Sequence, residues 1–341
     1  MSKTVDVAVV GATGAVGETM ISILEERDFP VGRLYPLASA RSAGSKVTFR
    51  NKSHIVQDLA DFDFSQAQIA LFSAGGSVSA EYAPVAGRAG CVVIDNTSHF
   101  RNEPDIPLVV PEVNAHAIAG YTARNIIANP NCSTIQMVVA LKPIHDAAGI
   151  ERINVCTYQA VSGTGKRAIE ELASQTANLL NARSIEPSVY PKQIAFNVLP
   201  HIDEFQDNGY TREEMKMVWE TRKILEDEAI QVNPTAVRVP VFYGHSEAVH
   251  VETREKIGAD AVRALMQTAP GVELMDERRA GGYPTAVTEA AGHDPVYVGR
   301  IREDISHPRG INFWVVADNV RKGAALNSVQ IAEVLLRDYM T

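Results

Sequence analysis

Three stretches of this sequence carry residue types whose spacing suits chemistry. In NPNCST, residues 129–134, Cys132 follows a turn at Asn129-Pro130-Asn131. It precedes a run with Ile135, Val138, Val139 and Leu141 that reads as a largely buried helix. A cysteine at a helix N-terminus meets backbone N–H groups and the positive end of the helix dipole. Both favour the thiolate and so make the sulfur a candidate nucleophile. In RVPVFYGHSEAVHVET, residues 238–253, Arg238 and His245 stand seven positions apart in a strand-like pattern. That odd spacing would send them to opposite faces of one strand, whereas a bend at Tyr243-Gly244 would bring both into one pocket. His245 would then cycle a proton near neutral pH, and Arg238 would clamp a carboxylate. Taken singly, each of the two reads as structural.

The third stretch is GATGAVG, residues 11–17, which follows a β-branched run from Thr4 to Val10 and precedes an apolar helical face at Met20, Ile21 and Leu24. Strand, glycine-rich turn and helix form the phosphate-binding half of a Rossmann unit. Gly11 allows the turn, Gly14 and Gly17 allow close approach of a pyrophosphate, and the phosphates lie on the helix N-terminus. The spacing is G-x-x-G-x-x-G rather than G-x-G-x-x-G, and glycines serving only a tight turn are the alternative reading. An NAD site would place a carboxylate about twenty residues further on. Here the second strand, Leu34 to Ala38, leads instead into Ser39, Ala40, Arg41 and Ser42. An arginine flanked by hydroxyls suits a 2′-phosphate, which favours NADP; a solvated loop arginine is the alternative. A thiolate and a nicotinamide together point to attack on an acyl carbon with hydride transfer, which also needs an acid/base, an anchor and an orienting group.

The elements that would position these residues repeat as β and α. QIALFSA (68–74) leads into GGSVS and a helix from Ala80, and CVVIDNTS (91–98) is a buried strand with Arg101 just beyond it. Ile126–Ala128 precedes the cysteine turn, Ile153–Val161 reads as a strand, and 166–181 as a long amphipathic helix. AVSGTGKRA (160–168) imitates a triphosphate loop and fails it: Ala160 stands where the first Gly is required, and Arg167 where a hydroxyl would hold Mg²⁺.

The remaining composition narrows the class. At 341 residues the chain suggests about two domains at ~100–200 residues each. A net charge of −9 argues against nucleic acid as the main partner. No apolar run reaches the ~18–20 residues of a membrane span, and the N-terminus enters a strand without room for a signal peptide. Three Cys preclude a disulfide framework and point to a reducing, cytoplasmic compartment; Cys91 and Cys156, inside apolar strand patterns, read as core residues. Nine His without ligand spacing predict no metal, and His250 reads as structural.

Several motifs in order give the chain a close resemblance to the aspartate-semialdehyde dehydrogenase family over essentially its full length. They are GATGAVG, SAGGSVS (73–79), DNTSHFR (95–101), PLVVPEVN (107–114), NPNCST, TYQAVSGTGK (157–166), RVPVFYGHSE (238–247), VGRIRED (298–304) and NFWVVADNVRKGAALN (312–327). The resemblance implies Cys132 as the nucleophile that forms an acyl thioester, Gln159 as the residue orienting it, and His245 as acid/base. It implies Arg238 on the substrate α-carboxylate, Arg101 and Lys216 on phosphate, Glu213 on the amino group, and Asn131 among the substrate-binding positions. For NADP it implies Thr13, Gly14, Ala15, Val16, Arg41, Ser42, Ser162, Gly163 and Asn319, beside Gly11, Gly17 and Ser39 from the motif reading. His99 departs from the family, which has a small residue there.

The resemblance further implies NADPH-dependent reduction of aspartyl phosphate to aspartate semialdehyde with release of phosphate, a step in lysine, threonine and methionine biosynthesis. An N-acetylglutamyl-phosphate reductase-like enzyme and a catalytically silent nucleotide-binding paralogue are the alternatives. The expected fold is α/β: a Rossmann-type NADP-binding domain with a parallel sheet at 1–130 and 319–341, the second piece ending in the helical stripe Ala325, Val329, Ala332, Leu336 and Tyr339. An α+β catalytic and dimerisation domain would span 131–318. The expected assembly is a homodimer or homotetramer, with small-molecule substrates and neither nucleic acid nor membrane as partner.

Overall fold

The computed structural model describes residues 4–340, so Met1–Lys3 and Thr341, at the ends of the two expected Rossmann segments, lie outside the described residues. The chain divides into two compact units, residues 1–130 with 324–341, and residues 131–323.

In the first unit the β-branched run becomes β1 (Val5–Val10) and the amphipathic pattern after the glycines becomes α1 (Ala15–Glu26). There follow β2 (Val31–Ala38), a hairpin of β3 (Lys46–Phe49) and β4 (Lys52–Ile55), β5 (Gln57–Asp58), β6 (Ile69–Phe72), α2 (Gly76–Arg88), β7 (Val92–Asp95), α3 (Pro111–Asn114) and β8 (Ile126–Ala128). The main sheet has the order β5-β2-β1-β6-β7-β8, and all its pairings are parallel. Strands of such a sheet are covered on both faces, and Val7, Val9, Ile69, Leu71 and Ile94 are accordingly buried in one core. From β1 the chain passes to β2 on one side and later to β6 on the other. The sheet therefore reverses at the carboxyl end of β1, where open α/β sheets bind their ligands.

The second unit contains α4 (Cys132–Ala148), β9 (Ile150–Gln159), α5 (Lys166–Leu180), α6 (Arg212–Leu225), β10 (Gln231–Arg238), β11 (His245–Thr253), α7 (Ala259–Thr268), β12 (Val272–Leu274), β13 (Val296–Glu303) and β14 (Gly310–Ala317). Its mixed sheet runs β10-β9-β11-β14-β13-β12. The 238–253 stretch is thus two strands rather than one bent strand. Arg238 ends β10 and His245 opens β11, on either side of β9. The turn between them needs Gly244, at φ +87° with Ala286 O only 2.7 Å from where a Cβ would stand. Register then sets the site: Arg238 pairs with Gln159 in the parallel ladder, and Ser246 pairs with Tyr158 in the antiparallel one. Three strand ends carrying Arg238, Gln159 and His245 are therefore adjacent.

Helix α4 packs on β9, β11, β13 and β14, and α6 packs on β10. Alternation along β9 buries Ile153, Val155, Thr157 and Gln159 and leaves Tyr158 36% exposed. Cys156 shares the more open face and is half-buried, so it is not the core residue its apolar surroundings in sequence predict; Cys91 is fully buried.

The last helix, α8 (Leu326–Asp338), belongs to the first unit, where Val329, Ala332 and Leu335 join the core around β1. The expected boundary at 319 is corrected to 324. Asn319 accepts the Gly244 N–H at 2.9 Å, and Arg321 pairs with Asp294 at 2.7 Å, so residues 319–323 are tied to the second unit. In the first unit buried Asn327 donates to Asn129 Oδ1 at 2.7 Å and to Val109 O at 3.0 Å, attaching α8 to the end of β8. No helix among the described residues is long and apolar enough to cross a membrane.

Removing those donors leaves two buried acceptors unpaired. Asn327→Leu is expected to destabilise the protein by about 2–3 kcal/mol, read as a lower urea midpoint; an unchanged midpoint would show that α8 is held by apolar packing alone.

Candidate active site

The acyl half of the candidate site lies in the second unit. Asn131 is the N-cap of α4, and its Oδ1 accepts the N–H groups of Ser133 (3.0 Å) and Thr134 (3.3 Å). Cys132, partly exposed, therefore begins the helix as the spacing predicts. Asn131 Nδ2 donates to Glu213 Oε1 at 2.9 Å, so its amide is committed to the helix cap and to α6, with one N–H remaining. Gln159 Nε2 reaches the same Glu213 oxygen at 3.2 Å and Thr157 Oγ1 at 3.2 Å.

Two basic side chains converge on the backbone after Gln159. Arg238 Nη1 donates to Ala160 O at 2.7 Å, and the Ala160 N–H donates to His245 Nδ1 at 3.1 Å. A Cβ on Gly163 would stand 3.1 Å from Arg238 Nη1 and 3.4 Å from His245 Nε2, which places both groups beside the loop at Gly163. Because Nδ1 accepts a backbone N–H, neutral His245 carries its proton on Nε2. Arg238 is 4% exposed and His245 0%, yet Arg238 Nε and His245 Nε2 have no hydrogen-bond partner among the described residues. Two buried, unpartnered N–H donors suit an oxygen-rich ligand. Burial, reinforced by Arg238, lowers the His245 pKa to about 3.

Glu213 shows the opposite balance. Burial would raise its pKa, but Lys216 and the Asn131 hydrogen bond outweigh it and hold the carboxyl at about 2. Lys216 Nζ lies 3.1 Å from Glu213 and 2.7 Å from Asp203, so two of its donors are engaged by carboxylates. Ser162 Oγ and the Asn319 amide lie 2.9 Å apart, and Asn319 also holds the Gly244 bend; Ser162, Gly163 and Asn319 thus share the acyl half of the site.

The first unit holds the nucleotide cleft, about 570 Å³, lined by Gly11, Thr13, Gly14, Ser39, Arg41 and Ser42. The backbone makes a cradle there. A Cβ on Gly17 would fall 2.2 Å from Gly11 O, so only glycine lets α1, which starts at Ala15 and Val16, begin so close to the turn. Arg41 is exposed and has no ion-pair partner among the described residues. Four cleft residues carry no signal in the sequence: Asp58, Leu59, Ala60 and Tyr82. Asp58 follows from pairing alone, since β5 sets it beside Ala38, and its Oδ1 accepts the Ala60 N–H at 3.1 Å.

Arg101, 7% exposed, donates to Asn129 O at 2.9 Å and to Asn96 O at 3.0 Å. Buried Asp95 stiffens the same loop by accepting Ser79 Oγ at 2.7 Å and Thr97 Oγ1 at 2.8 Å. His99 is exposed and sets its ring edge against Phe100, 4.6 Å between centroids.

Glu247 is a further group that sequence pattern does not disclose. It is fully buried two residues beyond His245 on the same face of β11, and neither oxygen has a hydrogen-bond partner of ordinary geometry among the described residues. Burial raises its pKa well above the carboxylate range, only partly opposed by Gln136 of α4.

The chain matches family models described as semialdehyde dehydrogenase, NAD binding domain over residues 6–121 and semialdehyde dehydrogenase, dimerisation domain over 141–322. That class is an oxidoreductase acting on an aldehyde. An aspartate-semialdehyde dehydrogenase from Legionella pneumophila is 66% identical over 340 residues, covering 100% of this chain and 98% of the relative. The crystal structure of aspartate semialdehyde dehydrogenase II complexed with ASA from Vibrio cholerae has a TM-score of 0.97 at 63% identity, covering 99% of this chain and 100% of that one. An aspartate semialdehyde dehydrogenase with NADP from Candida albicans has a TM-score of 0.75 at 25% identity, covering 98% of each chain. The chain belongs to the aspartate-semialdehyde dehydrogenase family, and these relatives do not favour the reductase or silent-paralogue alternatives.

A carboxyl whose folded pKa is raised keeps its proton where the unfolded chain, at ~4.3, has released it, so stability falls as pH rises through that range. Glu247→Gln removes this penalty. Its gain in Tm over the parent is expected to grow from pH 5 to pH 8; a gain that shrinks with pH would mean that Glu247 is ionised in the native state.

Proposed function

We propose that this protein reduces L-aspartyl 4-phosphate to L-aspartate 4-semialdehyde with NADPH, releasing phosphate, through a thioester on Cys132. The observation that carries this reading is the pair of buried, unpartnered donors, Arg238 Nε and His245 Nε2, set beside Gly163 in the unit whose α4 begins with Cys132.

In the biosynthetic direction the Cys132 sulfur bonds to the acyl carbon, the carbon–oxygen bond to phosphate breaks, and phosphate leaves with the bond's electron pair. Arg238 supplies a bidentate fork for the substrate α-carboxylate. Glu213, held ionised by Lys216, accepts from the α-amino group. Arg101 and the remaining Lys216 donor hold phosphate. Gln159, anchored through its amide to Glu213, orients the acyl group, and Asn131 uses its remaining N–H toward the substrate. His245 presents its Nε2 proton to the acyl oxygen. An anionic ligand on Arg238 weakens one of the two causes that hold the His245 pKa down, which moves the ring toward proton exchange near neutrality.

The cradle fits a dinucleotide: the Gly11–Gly17 turn and Thr13 would take the pyrophosphate, and Arg41 with Ser39 and Ser42 the 2′-phosphate. When bound, NADPH supplies the hydride that brings the thioester to the aldehyde level. Ser162, Gly163 and Asn319 would meet its nicotinamide end. Asp58 lies in the same cleft with Oδ1 accepting the Ala60 N–H, and Arg41 is the cation there that a 2′-phosphate would meet. The more open face of the second unit's sheet, with Tyr158 36% exposed, and the Tyr283 loop that lines a pocket with Ser246, Ala248 and Trp314, support a homodimer; a homotetramer would pair two such dimers. The cytoplasm is the proposed compartment.

Two measurements test the reading. Aspartate semialdehyde, phosphate and NADP are expected to give a phosphate-dependent rise in NADPH absorbance, lost by on the order of 10³-fold or more in Cys132→Ser and blocked by an alkylating agent found on Cys132; full turnover in that variant would sink the mechanism. Arg41→Ala is expected to raise KM for NADP about 10–100-fold, the worth of a charge-assisted contact, with little change for NAD. Equal effects on both cofactors would remove Arg41 from 2′-phosphate recognition.

A further inference from the structure

An N-cap is ordinarily held by its own helix, through a side-chain oxygen on the first free N–H groups. Asn131 meets that need with Oδ1, yet it is also gripped from outside at both of its nitrogens. Its Nδ2 donates to Glu213, and its backbone N–H donates to Glu220 Oε2 at 2.6 Å. Glu213 and Glu220 are seven residues apart on α6, two helical turns, and so project from one face. Glu213 belongs to the substrate site described above. Glu220 is 2% exposed, and nothing in the roles assigned so far requires it.

A buried carboxylate is costly to hold, and fixing the Asn131 backbone is one gain that it brings. That gain bears on the residue after the amide. Cys132 is bonded directly to Asn131, and on its other side Gly323 packs so closely that a Cβ at 323 would stand 2.8 Å from Cys132 Cβ. With Cβ confined in this way, the aim of the sulfur depends on where Asn131 places the start of α4. Glu213 fixes the side chain of Asn131 and Glu220 its backbone, so two points on one rigid helix define that start.

We propose that Glu220 is a positioning residue for the nucleophile: by accepting the Asn131 N–H it fixes the first turn of α4 and hence the direction in which Cys132 approaches the acyl carbon. The proposal deepens the reading of Cys132 as the nucleophile and rests on it.

The test compares Glu220→Gln, Glu220→Asp and Glu220→Ala in the full-length protein, with aspartate semialdehyde, phosphate and NADP as substrates. The glutamine keeps an oxygen at the same reach and is expected to retain kcat within about threefold, whereas alanine, or aspartate with its shorter side chain, loses about 10–100-fold in kcat, as ångström-scale misplacement of a reacting group does. KM for the aldehyde is expected to stay within about twofold, because Arg238 and Glu213 are untouched. The aspartate variant keeps the question open to test if alanine prevents folding. Glutamine as impaired as alanine would overturn the proposal in favour of a charge effect. A loss confined to Tm, with kcat per folded molecule unchanged, would overturn it in favour of a purely structural role. Cys132→Ser, assayed alongside, separates the two failures: if that variant turns over normally, the nucleophile assignment is wrong, whatever Glu220 does.

Discussion

The acyl site is organised by the need of one buried carboxylate for partners. Glu213 is 5% exposed, and an unpaired charge at that depth would not persist. Its neutralisation draws Lys216 from its own helix, Gln159 from the end of β9 and Asn131 from the start of α4 to within hydrogen-bond distance. Three elements distant in sequence are thereby fixed to one group. The Gln159 amide and the Asn131 cap beside Cys132 are held by the same carboxylate, so a shift in α6 moves both.

Sheet register supplies the second constraint. Arg238 and His245 reach one loop because β10 and β11 flank β9 and end beside it, and because the Ala160 backbone accepts from one and donates to the other. Burial first, and the neighbouring Arg238 cation second, keep His245 weakly basic there.

Local chemistry was the legible part of the sequence. GATGAVG after a β-branched run, Cys132 after Asn-Pro-Asn and the turn at Gly244 each announce their conformation within a few residues, and the structure forms a turn or helix start at each. The placement of Arg41 at the nucleotide cleft is similarly local, since it stands just past the end of one strand. Pairing across the chain was not legible from the residues themselves. Gln159 stands between Arg238 and His245 only because of a strand order that neither segment encodes alone, and Asp58 enters the cleft only through β5. Cys156 looks like a core residue because its neighbours are apolar, but alternation puts it on the less covered face. Residues 319–323 follow β14 of the second unit as a turn and the start of a helical segment, and their hydrogen bonds, rather than the helical stripe beyond them, decide where they belong. Glu220 and Glu247 carry no local signal, because only the tertiary fold buries them.

The division of the chain has a consequence for how the enzyme can be altered. In the proposed mechanism the second unit holds the fragment that stays covalently attached: nucleophile, acyl-orienting amide, carboxylate clamp and proton donor all lie within residues 131–323. In that mechanism the first unit, with Arg41 in its cleft, carries the group that would choose the electron donor. Change in the first can therefore retune which electron donor is consumed, while the second conserves which acid is recognised, so the two specificities are free to evolve along separate lines.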